Sequence, residues 1–450
     1  MRQQQKEQQN IRRWLVRLTG PIFIEMVLII LLGTVDTVML SQCSDNTVAA
    51  VGVVVQLLNM VFLAFEATTA GTSVLCSQYL GARQLDNVSR AIGVSLVFNA
   101  MMGVVVSAGL FFGAEHILRI MDLRPELMGD GAIYMRIVGG FAFFQAISLT
   151  LSAILRSAGM AYYPMQVTFL INILNIAGNY ALIFGHFGFP ALGVEGAAIS
   201  TSFSRGVAMC LLIFILFRKK LTFPLSFLWP FPFRVLGKML SIGLPSGGEQ
   251  LSYSLSQVVI TYFVNMLGNE ALAARTYAMN IVTFSYVFAM SVGQGGGICI
   301  GHLIGKGHKN AALLLGRYCI RITLMISLTV SLLAALLGHT VMGLLSDNAA
   351  VIGLTALILW IDVPLELGRA VNILCVNFLR STGDAIYPFV IGLIFMWGVA
   401  TVGGYALGIL FGFGLAGMWV AFTCDEGIRA VCFWFRWQSR KWMGKSIVVR

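Results

Sequence analysis

Charge is scarce in this chain. Asp, Glu, Lys and Arg supply only 11% of its 450 residues, against about 25% in ordinary soluble domains, which excludes a water-soluble globular protein of normal composition. Histidine is scarcer still, and His116, His186, His302, His308 and His339 form no ligand motif. The eight cysteines (Cys43, Cys76, Cys210, Cys299, Cys319, Cys375, Cys424 and Cys432) are scattered. No pair has metal-ligand spacing, so they read as small apolar packing residues and no metal is expected. No nucleophile–base pair, phosphate loop or metal constellation stands out, which argues against an enzyme and against a cofactor. After the polar start MRQQQKEQQN no small-residue cleavage pattern follows the first apolar run. That run therefore reads as a retained transmembrane helix and not as a signal peptide.

Apolar residues fill the space that charge leaves, at 58% of the chain. Long apolar stretches succeed one another at about 18–40, 50–78, 91–113, 130–154, 163–186, 194–217, 239–265, 272–300, 315–342, 352–378, 387–410 and 413–435. Each supplies roughly the 20 residues needed to cross about 30 Å of hydrocarbon. They are continuously apolar, whereas barrel strands alternate over about 10 residues. The fold class expected is an all-alpha polytopic membrane protein with twelve transmembrane helices.

An even number of spans puts both termini on one side, and the basic residues choose which. Arg2, Lys6, Arg12, Arg13 and Arg17 precede the first span; Arg218, Lys219, Lys220, Arg234 and Lys238 flank the centre; Arg436, Arg440, Lys441, Lys445 and Arg450 close the chain. Only Arg119, Arg124 and Arg275 lie in or near loops assigned to the other side, with Arg136 and Arg369 in helix segments there. The positive-inside rule then makes both termini cytoplasmic. A formal charge of +11 needs no nucleic acid, because attraction to an anionic inner leaflet accounts for it.

The chain is also written twice. LRSAGMAYYP at 155–164 returns as LRSTGDAIYP at 379–388, an offset of 224 with seven of ten residues identical. At the same offset Pro21 matches Pro245, Glu25 matches Glu249, Gly71 matches Gly295 and Arg205 matches Arg429. Six spans per copy enter the membrane in the same orientation, so the copies are parallel repeats related by an axis along the membrane normal. The expected division is an N-terminal lobe at 1–217, a cytoplasmic linker at 218–238, and a C-terminal lobe with its basic tail at 239–450. Gly159 and Gly383 are expected to end helices, and Pro164 and Pro388 to sit near the starts of the next ones. Arg156 and Arg380 then cap helix ends, bind headgroups or lock the inner mouth, while Arg205 and Arg429 snorkel inward or satisfy carbonyls.

Ionisable residues inside spans are costly and point to a polar site. In PIFIEMVLIILLGTVDTVML, Asp36 follows Glu25 by eleven residues, about 20° past three whole turns, so both can face one direction. Its repeat position holds Ile260. In INILNIAGNY, Asn175 and Asn179 share a face and Asn172 extends it, a set whose amide oxygens suit a hard cation but which also serves interhelical packing. Asp36, Asn175, Asn179 and Asn172 form the candidate ion-coupling site, for H+ or for Na+. Glu66, Arg136 and Gln145 are candidates to line the first bundle. Glu249 follows the helix-disturbing GLPSGGEQ, and WIDVPLELGRAVN places Asp362, Glu366 and Arg369 on one face as either a salt-bridged structural cluster or a substrate contact. Tyr253, with Met26, Phe62, Phe65, Tyr277 and Phe284, is a candidate lining for bulky organic molecules.

With PIFIEMVLIILLGTVDTVM, QYLGAR at 78–83, the two LRS-x-G segments, NILNIAGNYALIFG at 172–185 and GVEGAAIST at 193–201, the chain resembles the bacterial multidrug and toxic compound extrusion (MATE) transporters over nearly its full length. The resemblance implies two six-helix lobes in a V, and export of organic, mostly cationic compounds in exchange for protons or sodium ions. It also implies the bacterial inner membrane and a monomer among membrane lipids. By the same resemblance Asp36 falls on the family's membrane-embedded acid of the first helix, and Asn175 and Asn179 on fifth-helix positions linked to cation coupling. Asn179 replaces an aspartate found in archaeal relatives. Glu249 resembles an acid of one bacterial branch whose partner acid, eleven residues before Arg380, is Arg369 here; this moves the expected ion site to the first lobe. A lipid or lipid-linked oligosaccharide flippase and an ion-independent uniporter or channel are the alternatives.

Overall fold

The computed structural model describes residues 2–221 and 231–448, without the side chains of residues 2–8. Among the described residues there is no strand, and twelve helical spans follow one another. They are α1 (Arg2–Ser41), α2 (Asp45–Gly81), α3 (Leu85–Ile120), α4 (Pro125–Gly139 and Ala142–Ser157), α5 (Tyr162–Phe184) and α6 (Val194–Arg218). The second set is α7 (Phe233–Met266), α8 (Asn269–Gly305), α9 (Lys309–Leu345), α10 (Ala349–Thr382), α11 (Ile386–Leu410) and α12 (Gly414–Gln438). Nine are long and apolar enough to cross a membrane, and α4 makes a tenth if its two halves are one span. The two outside that count, α7 and α12, carry polar side chains that serve the interior of the second repeat, among them Gln257 on α7 and Asp425, Glu426 and Arg429 on α12. The chain is a multi-pass membrane protein.

Two local expectations fare differently. Gly159 and Gly383 both take positive φ, +81° and +97°, and close the same C-terminal motif: Gly159 N–H donates to the Arg156 carbonyl at 3.0 Å and Met160 N–H to the Leu155 carbonyl at 2.9 Å. Gly383 and Asp384 repeat these bonds to Arg380 and Leu379 at 2.9 Å each. Left-handed backbone is cheap only for glycine, so the repeated LRS-x-G ends both helices the same way. By contrast GLPSGGEQ does not interrupt its helix, and α7 runs through Pro245. The break falls in α4, where Pro125–Gly139 and Ala142–Ser157 are bent by 45° after a π-helical turn at Met135–Gly139. A π turn beside a glycine pair loosens the i→i−4 ladder there.

The chain folds as two compact units, Gly20–Gly247, and Gly248–Arg450 with the residues up to Thr19. The divisions fall inside α1 and α7, at Thr19 and Gly247. Of the expected linker at 218–238, residues 222–230 lie outside the described residues. In the first unit Val54, Phe65, Leu118, Met135 and Ala142 pack a core between α2, α3 and α4. In the second unit Val264, Met342, Ile358, Leu359 and Trp419 do the same between α7, α9, α10 and α12.

Candidate functional site

The first unit gathers its polar side chains where α1, α4, α5 and α6 meet. The Asn179 amide nitrogen donates to Asp36 Oδ1 at 2.7 Å and to Asn175 Oδ1 at 3.1 Å. Asn175 in turn donates to Thr201 Oγ1 at 3.3 Å, and the Tyr134 phenol lies beside Thr201. Asn175 and Asn179 are 2% and 1% exposed. Asp36 is half-buried, so the chain of bonds runs from an accessible carboxylate into the helix bundle.

Close helix approach makes this geometry. Gly178 lies against α6, where an added Cβ would stand 2.5 Å from Ser200 Oγ. Ser200 then reaches the Asn175 carbonyl at 3.0 Å, and its neighbour Thr201 reaches the Asn175 side chain. Small residues permit such contacts in membrane helices, and polar side chains then hydrogen-bond across them. One turn away Asn172 donates to the Leu28 carbonyl at 2.7 Å, which ties α5 to α1. Two amide oxygens, Asn172 Oδ1 and Asn179 Oδ1, are buried without a hydrogen-bond partner. Buried acceptors left unpaired are costly, and a cation would satisfy them.

Arg205 completes the arrangement. Its guanidinium lies 5.2 Å from the Phe62 ring centroid and interacts electrostatically with Asp36 and Tyr134. It therefore serves the Asp36 cluster and does not reach a helix end. Tyr134, Thr201 and Arg205 were not legible as partners of Asp36 in the sequence. The available signal was weak: Thr201 closes GVEGAAIST, and Arg205 lies four residues further on the same helix face.

Glu25 does not join Asp36 in this cluster, although the eleven-residue spacing allowed it. It is 4% exposed and its Oε2 accepts from Arg156 Nη1 at 3.1 Å. The repeat holds the same pair, Glu249 Oε2 accepting from Arg380 Nη2 at 2.8 Å. Glu66 is exposed, and Gln145 half-buried; among the described residues neither side chain makes a hydrogen bond.

The second unit uses the corresponding region differently. Ile260 stands at the Asp36 position and is buried in apolar core, and Met396, at the Asn172 position, is buried as well. Asp425 stands at the Thr201 position, and Arg429 pairs with it at 2.5 Å and with Glu426 at 3.0 Å. The repeated arginine thus faces an acid from another helix in the first unit and acids of its own helix in the second. Arg429 is 6% exposed and does not snorkel. Asp362 accepts from Trp419 Nε1 at 3.1 Å, Glu366 pairs with Arg369, and Asn372 donates to Glu426 at 2.6 Å. Tyr253, Gln257, Arg275, Arg369 and Arg429 border a cavity of about 50 Å³. Arg275, placed near an outer loop by the sequence, is buried in α8 and donates to Thr261 at 2.6 Å and Gln257 at 2.9 Å.

Among the described residues no three of His, Cys, Asp and Glu cluster to hold a metal. Oxygen donors of Asp, Asn and Thr dominate the first-unit site, which is chemistry for a proton or a hard monovalent cation.

Comparison with known proteins agrees with the repeat and the fold. The MatE family model matches residues 21–181 and again 245–406. The uncharacterized transporter YisQ of Bacillus subtilis is 41% identical over 96% of this chain and 95% of its own length. The probable multidrug resistance protein NorM of Thermotoga maritima is 26% identical over 99% of this chain and 96% of its own length. A crystal structure of MATE in the bent conformation superposes with a TM-score of 0.89 at 22% identity, over 96% of this chain and 95% of that one. With the family pattern present in both halves, and a full-length relative above 40% identity, the chain belongs to the MatE family of membrane transporters.

Proposed function

We propose that this protein is a secondary active multidrug exporter that moves organic, mostly cationic compounds out of the cell in exchange for H+ or Na+ by alternating access. The observation that carries the reading is the bonded series Asp36–Asn179–Asn175–Thr201, with a half-buried carboxylate at one end and the unpaired oxygens of Asn172 and Asn179 beside it. Multidrug resistance is the name borne by NorM of Thermotoga maritima and by PmpM of Pseudomonas aeruginosa, each similar over most of its length.

In this mechanism the coupling ion takes the place of missing hydrogen-bond partners. A proton on Asp36, or a sodium ion held by Asp36 and the amide oxygens, neutralises the carboxylate and favours the outward-facing, drug-releasing state. An organic cation then loads from the inner side after the ion leaves. The termini lie in the cytoplasm, the membrane is the bacterial inner membrane, and the potential across it drives the ion inward by about 2.3 kcal/mol per charge per 100 mV.

The test is transport in proteoliposomes under imposed sodium or proton gradients, with wild type beside Asp36→Asn. The expected result is substrate movement that follows one of the two gradients and is lost in the variant. Substrate antiport unchanged by Asp36→Asn would overturn the coupling role of Asp36, and flux that ignores both gradients would establish a uniporter or channel.

A further inference from the structure

We propose that the basic pocket formed by the beginning of α1, the end of α8 and the beginning of α9 binds the headgroup of an anionic phospholipid. The pocket encloses about 830 Å³ and lies wholly within the second unit. Arg12, Lys306, His308, Arg317 and Arg321 line it, and among the described residues no carboxylate does. Its walls are also apolar, with Trp14, Leu303, Leu314 and Leu315 between the bases. A site for a water-soluble anion has no use for such walls, whereas a lipid needs both halves.

The side chains are arranged rather than merely numerous. The Arg12 guanidinium carbon lies over the Tyr318 ring at 4.2 Å from its centroid, a cation–π contact that places the group at the wall with N–H donors to offer phosphate oxygens. Trp14, in the wall, stands edge-on to His302 at 5.1 Å. Arg317 is held by Gln438, its Nε donating at 3.0 Å. On α9 the residues Leu314, Arg317, Tyr318 and Arg321 share one face by their spacing. That face continues toward the helix middle through Met325 and Leu328, both exposed. A phosphate seated among the bases therefore has an apolar track for its acyl chains along the same helix. The lipid would fasten the first turns of α1 to α8 and α9.

The experiment is lipid retention by the full-length protein. Purified protein is exchanged into mixed micelles of phosphatidylglycerol and phosphatidylcholine, washed, and its bound lipid quantified by mass spectrometry. The variant R12Q/R321Q is compared with R13Q/R17Q, which removes the same charge from α1 at two exposed residues outside the pocket. Wild type and R13Q/R17Q are expected to enrich phosphatidylglycerol equally, and R12Q/R321Q to retain roughly tenfold less. Leu314→Gln, at an exposed position, is expected to lower retention as well. Equal loss in the two arginine pairs would reduce the pocket to general surface charge and overturn the proposal. Displacement of the lipid by inorganic phosphate, with no effect of Leu314→Gln, would overturn it in favour of a soluble-anion site.

Discussion

The Glu25 carboxylate accepts from the Arg156 guanidinium at 3.1 Å, joining α1 to the end of α4 with side chains 5% and 14% exposed. The duplicated Glu249–Arg380 pair is 2.8 Å long and more open, at 17% and 21% exposure for the acid and the base. Each arginine belongs to LRS-x-G, where the glycine turns the chain just beyond the helix. The motif therefore ends a helix and supplies the cation that pairs with a glutamate in the first helix of the same copy.

Removing one member of a buried pair leaves the other charge uncompensated. Glu25→Gln should destabilise the protein by about 3–5 kcal/mol, and Glu249→Gln by less because water reaches its pair. Thermal unfolding of Glu25→Gln, Arg156→Gln and the double variant measures the coupling. A double variant no more stable than expected from adding the two single losses would show that the pair does not act as a unit.

Gly178→Ala reads out the approach of α5 and α6. Helix propensity alone predicts stabilisation by up to about 1 kcal/mol. The new methyl would instead stand 2.5 Å from Ser200 Oγ and 3.2 Å from Ser200 Cβ, so a loss of roughly 1–3 kcal/mol is expected. Displacing α6 moves Thr201 from Asn175, and the half-saturating concentration of the coupling ion in the transport assay should rise with the loss of stability.

In the second unit Arg429 holds two acids of its own helix, Asp425 and Glu426. Arg429→Met should cost about 3–5 kcal/mol, because both carboxylates are buried. The triple replacement Asp425→Leu, Glu426→Leu, Arg429→Met should recover most of that loss in thermal unfolding. A triple variant as unstable as the single one would show that packing, and not charge compensation, sets the stability of α12.

At Gly383 the backbone φ is +97° and an added Cβ would lie 2.3 Å from the Lys445 carbonyl oxygen. Gly383→Ala should cost at least about 1–2 kcal/mol from the left-handed backbone alone. The displaced C-terminal segment should become more open to limited proteolysis.

Much of the fold was legible because its causes are local. Apolar length sets a span, a polar interruption sets its end, and glycine after LRS sets a left-handed turn; each needs only neighbouring residues. The duplication was equally plain, and the places where the copies differ pointed to Asp36, Asn175 and Asn179. The continuity of α7 through Pro245 and the bend in α4 were not legible, since neighbouring helices decide whether a freed backbone group is satisfied in place.

The sequence by itself determined the class of the protein, its two repeats, and the polar residues of α1 and α5 that share a helix face. Only the tertiary structure decided who meets whom. It turned Glu25 away from Asp36 toward Arg156, brought Tyr134, Thr201 and Arg205 to the Asp36 cluster, and gave Arg429 partners on its own helix where Arg205 looks to another. Helical periodicity fixes the face on which a side chain lies, but the partner comes from a helix tens of residues away. Its arrival depends on close contacts such as Gly178 against Ser200, which no single segment of the chain encodes.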